Sequence, residues 1–115
     1  MKNNNIISII EKQYPETCKE FLSIQKEQYE TFCKKQFDYG PGNISLGTSL
    51  TTEEETRASI TGIVVRLNDK IQRLINLVMK KNTMNSANES VRDTFLDISV
   101  YGIISEIVLR GKWAK

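Results

Sequence analysis

The chain of 115 residues contains no histidine. That absence excludes Ser-His and Cys-His nucleophilic chemistry, His-ligated zinc and imidazole general-base catalysis. Catalysis, if any, must use carboxylates, lysine, tyrosine, cysteine or a metal held by oxygen. Cysteine is scarce as well, and Cys18 and Cys33 make no disulfide framework. On one continuous helix they would stand about 22 Å apart, too far for a bridge, so they read as inert buried thiols. No apolar run reaches the ~18 residues of a membrane span, and only five apolar or small positions precede Glu11, too few for a secretory leader. These absences suggest a soluble cytoplasmic protein with no membrane partner. Neither charge sign dominates: 16 basic residues face 14 acidic ones, for a net charge of +2, which argues against bulk DNA binding. Proline and glycine are few and clustered, at Pro15, Gly40-Pro41-Gly42, Gly47 and Gly111.

What remains is ordinary globular composition, with 39% hydrophobic and 26% charged residues. The length suits one domain over residues 1–115. A domain this small buries roughly two-thirds of its unfolded surface, so it can fold alone while oligomers stay open to it. The spacing predicts an all-α chain of four segments, a four- to five-helix bundle. Ile6, Ile7, Ile9 and Ile10 lie in a first segment, about Asn4 to Gln13, that fits a short helix or a strand. Pro15 suits the first turn of a second helix running to about Phe37, where Cys18, Phe21, Leu22, Tyr29, Phe32 and Cys33 recur at three- and four-residue steps. A capping box of Thr51 with Glu54 opens a third helix, which continues on Ile60, Ile63, Leu67, Ile71, Leu74 and Val78 to Lys80 and Lys81. A second box, Ser86 with Glu89, opens a fourth that ends near Gly111. The apolar residues of this last helix point in nearly every direction, and a helix apolar all round is one covered all round. It is expected at the centre of the bundle, largely buried, or covered in part by a second subunit, with Trp113 packed back onto the body.

Two charged stripes stand out. Glu89, Asp93 and Asp97 recur at steps of four and share an arc of about 80° on the central helix. Carboxylates on a covered helix need cations, because desolvation costs several kcal/mol each. The third helix supplies Arg66, Lys70 and Arg73 beside its apolar face, with Asp69 and Asn76 toward solvent. The stripes form either a structural salt-bridge layer or a polar cleft that takes a phosphate-bearing ligand, directly or through Mg²⁺. The loop Asp38-Tyr39-Gly40-Pro41-Gly42-Asn43 is either a rigid turn or a second wall of that cleft, where Tyr39 stacks on a base and Asn43 reads its edge. No Gly-Lys-Ser/Thr follows and no strand precedes it, so it is neither a Walker loop nor a Rossmann fingerprint.

Three stretches carry a resemblance: Lys35-Gln36-Phe37-Asp38-Tyr39-Gly40, the run from Arg66 to Leu77, and the run from Glu89 to Ile104. Together they resemble the helical nucleotide-modification-associated domain of phages and prophages, over about Phe32 to Leu109, roughly two-thirds of the chain. That family is similar in outline to the all-α NTP pyrophosphohydrolases, the MazG and dimeric dUTPase group, which hold Mg²⁺ between two helices with Glu-x-x-Glu and Glu-x-x-Asp pairs. The likeness implies that Glu89, Asp93 and Asp97 are metal ligands if the chain is an enzyme, with Asp69 or Asp38 as a further carboxylate. Here the first acidic pair is replaced by Arg66, Asp69, Lys70 and Arg73, a pattern that suits binding of phosphate without hydrolysis. The resemblance therefore implies a phage-type protein in an infected or lysogenic host. Such a protein is expected to hold a nucleotide or nucleotide-derived signal through Asp38, Tyr39, Gly40, Asn43, Arg66, Asp69, Lys70, Arg73 and Asp93, to assemble with itself, and could in this way sequester a host defence signal. The alternatives are a Mg²⁺-dependent pyrophosphohydrolase acting on (modified) nucleotides and a helical partner-binding protein.

Overall fold

A computed structural model describes residues 3–115. Met1 and Lys2, the start of the stretch weighed as a leader, lie outside them. Every regular element among the described residues is helical. The order is α1 (Asn3–Gln13), α2 (Pro15–Tyr39), α3 (Gly42–Ser45), α4 (Glu53–Leu74), a π-helical turn (Ile75–Lys80) and α5 (Val91–Leu109). The isoleucine-rich first segment is thus a helix and not a strand. Among the described residues, no helix is long and apolar enough to cross a membrane.

The chain divides into two compact units, one ending at Lys35 and the other spanning Gln36–Lys115. The first contains α1 and most of α2. Its backbone ladder runs on past Pro15: the Tyr14 N–H donates to the Ile10 carbonyl at 2.8 Å and the Cys18 N–H to the Tyr14 carbonyl at 3.1 Å. Proline is tolerated there because its missing N–H falls in the first turn, where no intrahelical partner exists. No residue of α1 or α2 is buried. The thiols expected to be buried are both free, Cys18 half-buried and Cys33 exposed. The α2 positions they share with Phe21, Leu22 and Tyr29 are not buried within the single chain.

In the second unit α2 ends at Gly40, whose φ of +69° is open to glycine at little cost and lets its N–H reach the Gln36 carbonyl at 2.9 Å. The chain turns at once into α3, where Ile44 and Ser45 are buried. Ser59 of α4 donates its hydroxyl to the Ile44 carbonyl at 2.7 Å and pins the two elements together. The loop expected over Asp38–Asn43 is therefore short, with helix on both sides.

Helix α4 starts one residue later than the spacing predicts. Its capping box joins Thr52 and Glu55 instead of Thr51 and Glu54. In this register the Glu55 Oε1 accepts from both threonine N–H groups, at 2.9 Å from Thr51 and 3.3 Å from Thr52, while Thr52 Oγ1 accepts from the Glu55 N–H at 3.1 Å. One carboxylate satisfies two backbone donors, which Glu54 would not do, and the Thr51 N–H holds the Glu55 carboxyl below its usual pKa. The last stretch before Lys81 is not α-helix but a π-turn, closed by the Lys81 N–H on the Asn76 carbonyl at 2.8 Å.

Helix α5 is also shifted. Its N-cap is Ser90, whose hydroxyl accepts from the Asp93 N–H at 3.0 Å. Ser86, the expected cap, donates to the Glu89 carbonyl at 2.6 Å. Glu89 therefore sits just before the helix and not on it. The pairs Arg73 with Thr94 and Lys70 with Asp97 show that α4 and α5 run antiparallel. Their interface and α3 enclose a small core of Ile44, Ile63, Leu74, Val91, Ile104, Val108 and Trp113. Along α5 only Val91, Thr94, Ile104 and Val108 are buried, while Phe95, Ile103 and Leu109 stay exposed. Within one chain α5 is covered along one side.

Candidate functional site

The two charged stripes meet at the Lys70 ammonium. Lys70 Nζ lies 2.8 Å from Glu89 Oε1 and 3.1 Å from Glu89 Oε2, and 3.0 Å from Asp97 Oδ2. Its three N–H donors thus face three carboxylate oxygens. All three side chains are sheltered but not sealed, at 22–30% exposure. Arg73 adds a second cation: its NH1 donates to Thr94 Oγ1 at 3.1 Å and its NH2 to the Glu89 carbonyl.

Thr94 is the hinge of this cluster and carries no signal in the sequence. It is fully buried on the inner face of α5. Its hydroxyl donates to Glu89 Oε2 at 2.6 Å and lies 3.1 Å from the Ser90 carbonyl, while accepting from Arg73. The buried hydroxyl thus links the Glu89 carboxylate, to which it donates, with the Arg73 guanidinium, from which it accepts.

Burial pushes the Glu89 carboxyl up, but hydrogen bonds from Lys70 and Thr94, the neighbouring Asp97 and the Lys70 charge outweigh it and hold the group at about 2. For Lys70, burial pulls down while Glu89 and Asp97 raise, and the net shift is upward from 10.5. The signs follow. A depressed carboxyl stabilises the fold above its unfolded value of 4.5 and loses that contribution as pH falls toward about 2. A raised lysine stabilises below 10.5 and loses its contribution only as pH rises above that value. Urea midpoints of the wild type and Glu89→Gln should therefore differ most above pH 4.5 and converge as pH drops toward about 2. A gap unchanged across that range would show that the carboxylate charge is not what the cluster holds.

The other expected site residues are placed differently. Arg66, half-exposed, donates from NH2 to the Asn43 carbonyl at 2.8 Å, so the basic stripe of α4 does reach the turn around Gly40–Asn43. It touches the Asn43 backbone, and the Asn43 side chain stays at the surface. Asp38, Tyr39, Asp69 and Asp93 are exposed, Tyr39 at 69%. Asp93 points its backbone, not its carboxylate, into the cap of α5. Trp113 closes the turn from the far end of the chain, with its indole N–H on the Pro41 carbonyl at 3.1 Å.

Mg²⁺ does not fit this set as it stands. Among the described residues no three acidic, cysteine or histidine side chains gather around one point. The place between Glu89 and Asp97 that a cation would take is filled by the Lys70 ammonium.

An open groove of about 370 Å³ lies at the other end of the helix pair, lined by Glu53, Thr56, Arg57, Ile60, Val64 and Leu109 among others. None of the expected site residues reaches it. Comparison with family models, with curated proteins and with solved structures finds no match to this chain.

Proposed function

We propose that this chain is a nucleotide-binding protein of phage type that holds a nucleotide or nucleotide-derived signal beside α4 and does not hydrolyse it. The observation that carries the reading is the division of labour along the basic stripe. Lys70 and Arg73 are engaged by Glu89, Asp97 and Thr94, whereas half-exposed Arg66 makes a single hydrogen bond, from NH2 to the Asn43 carbonyl beside the glycine-flanked turn. A planar guanidinium steadied by one carbonyl is suited to bidentate contact with a phosphate. Tyr39, exposed and adjacent to that turn in sequence, offers a ring for a base. The ammonium between Glu89 and Asp97 supports binding over metal-dependent turnover. The likeness of the Phe32–Leu109 region to the phage nucleotide-modification-associated domain supports a cytoplasmic role in an infected host, where retention of a defence signal would serve the phage.

The proposal includes assembly with further copies, in which the apolar positions of α5 left open in one chain are covered and α5 becomes the central helix of a bundle. A second reading has its own support: Lys70, Arg73, Glu89, Asp97 and Thr94 satisfy one another so completely that they serve as a clasp between α4 and α5 and nothing more.

Incubation with a panel of nucleoside triphosphates and cyclic nucleotides, followed by denaturation and recovery of the ligand, tests this. Intact ligand should be retained, and Arg66→Ala should weaken retention about tenfold or more while Asp93→Asn changes it little. Pyrophosphate released with Mg²⁺ would favour the enzyme. A melting temperature unmoved by every nucleotide would leave the clasp as the whole function.

A further inference from the structure

Helices α1 and α2 together hold 36 residues, none of them buried. A helix draws most of its stability in water from packing an apolar face, so this length of amphipathic helix needs a partner. On α2, Cys18, Phe21, Leu22, Tyr29, Phe32 and Tyr39 fall within an arc of about 100°, and Lys19, Lys26, Glu27, Glu30 and Lys34 fill the opposite side. Ile6, Ile7, Tyr14, Phe21, Leu22 and Tyr29 are each 46–69% exposed. These six side chains alone leave on the order of 800 Å² open per copy, which is what one partner contributes to a standard stable interface. Exposed apolar area of that size is more than the few hundred Å² of a monomer's ordinary apolar patch.

Charge decides between the occupants. A helix lying on an anionic membrane, or against a nucleic acid, carries an excess of lysine and arginine on its polar face. Here α2 bears Lys19, Lys26, Lys34 and Lys35 against Glu16, Glu20, Glu27, Glu30 and Asp38, and α1 bears Lys12 against Glu11. Acid and base stand side by side at Lys19-Glu20 and Lys26-Glu27. Balanced charge on the polar side disfavours both the membrane and the nucleic acid, and a second copy of the same apolar stripe matches it in area and in polarity.

We infer that the α1–α2 arm is a self-association element that packs its apolar face on the same arm of a second copy. This rests on the self-assembly proposed above, moves its primary contact from α5 to the arm, and is independent of the nucleotide. Light scattering coupled to size exclusion, over a range of concentrations, should give the wild-type chain at twice its monomer mass or a multiple of that. Phe21→Glu with Tyr29→Glu should weaken association at least about 100-fold, while Phe21→Leu with Tyr29→Phe retains it. The buried Trp113 lies in the other unit, so unchanged Trp113 emission confirms that the glutamate variant still has a folded body. A wild type that stays monomeric overturns both the arm pairing and the self-assembly reading. An oligomer that survives the arm glutamates but is lost on Phe95→Glu with Leu109→Glu overturns the arm pairing alone. A monomer in solution that sediments with phosphatidylserine vesicles assigns the face to a membrane and overturns it equally.

Discussion

Replacing Trp113 with alanine is expected to cost the second unit about 3–5 kcal/mol, the range for removing a buried large aromatic. For a cooperative unit of this size that corresponds to a melting temperature lower by roughly 15–30 °C, read by far-ultraviolet circular dichroism. The effect is large because the core is small. Among the described residues seven hydrophobic side chains are buried, and the indole, 5% exposed, is the largest of them. It also ties the chain's end to the turn after α2 through the N–H bond to the Pro41 carbonyl. The backbone is bent to deliver it: Gly111 takes a φ of +69°, its N–H reaches the Val108 carbonyl at 3.0 Å, and the Lys112 N–H reaches the Ile107 carbonyl at 3.1 Å. Trp113→Phe separates the two contributions. It keeps a ring in the cavity and removes the donor, and its loss beyond the volume change should be about 1 kcal/mol. An alanine variant that melts within a few degrees of the wild type would mean that the C-terminal tail is not part of the core.

Lys70→Met should be the second most damaging single change, at about 2–3 kcal/mol near neutral pH. Methionine fills the space of the aliphatic stem but leaves Glu89 and Asp97 facing one another without the ammonium. The full cost of a stranded buried charge is not expected, because both carboxylates retain partial access to water. The signature is the pH dependence. In the variant one carboxyl must rise in pKa, so its stability should increase as pH falls from neutrality toward 4.5, whereas the wild type shows no such gain. Equal urea midpoints for the two proteins at neutral pH would rule out the cluster as a clasp.

The all-helical character and the helix positions were legible because hydrophobic spacing and caps are local signals. The errors are equally local. Thr51-Thr52 before Glu53-Glu54-Glu55 allows two capping registers, and Ser86 with Glu89 and Ser90 with Asp93 allow two more. Local pattern cannot choose between them. What chooses at α5 is tertiary: Glu89 must leave the helix for its side chain to meet Lys70 and Thr94 and its carbonyl to meet Arg73. Lys70, Arg73, Glu89 and Asp97 were picked out as opposed charges and do come together. Thr94 was not, since a threonine inside a helix looks the same whether it faces water or an ion pair. Asp69 and Asp93 share the period of the stripes but lie past the edge of the contact, where the structure leaves them at the surface.

The π-turn after α4 sets which length changes the chain can absorb. With the Lys81 N–H reaching back five residues, Ile75–Lys80 holds one residue more than an α-ladder over the same stretch requires. Losing a residue there, at the exposed Met79 for instance, can be accommodated by reversion to the tighter ladder, with everything on either side kept in frame. The same loss inside α4, at Asn68 or Asp69, would turn one half of the helix against the other by about 100° and carry Lys70 and Arg73 away from Glu89. The segment is a slack link in an otherwise taut helix, placed just beyond the residues whose direction matters.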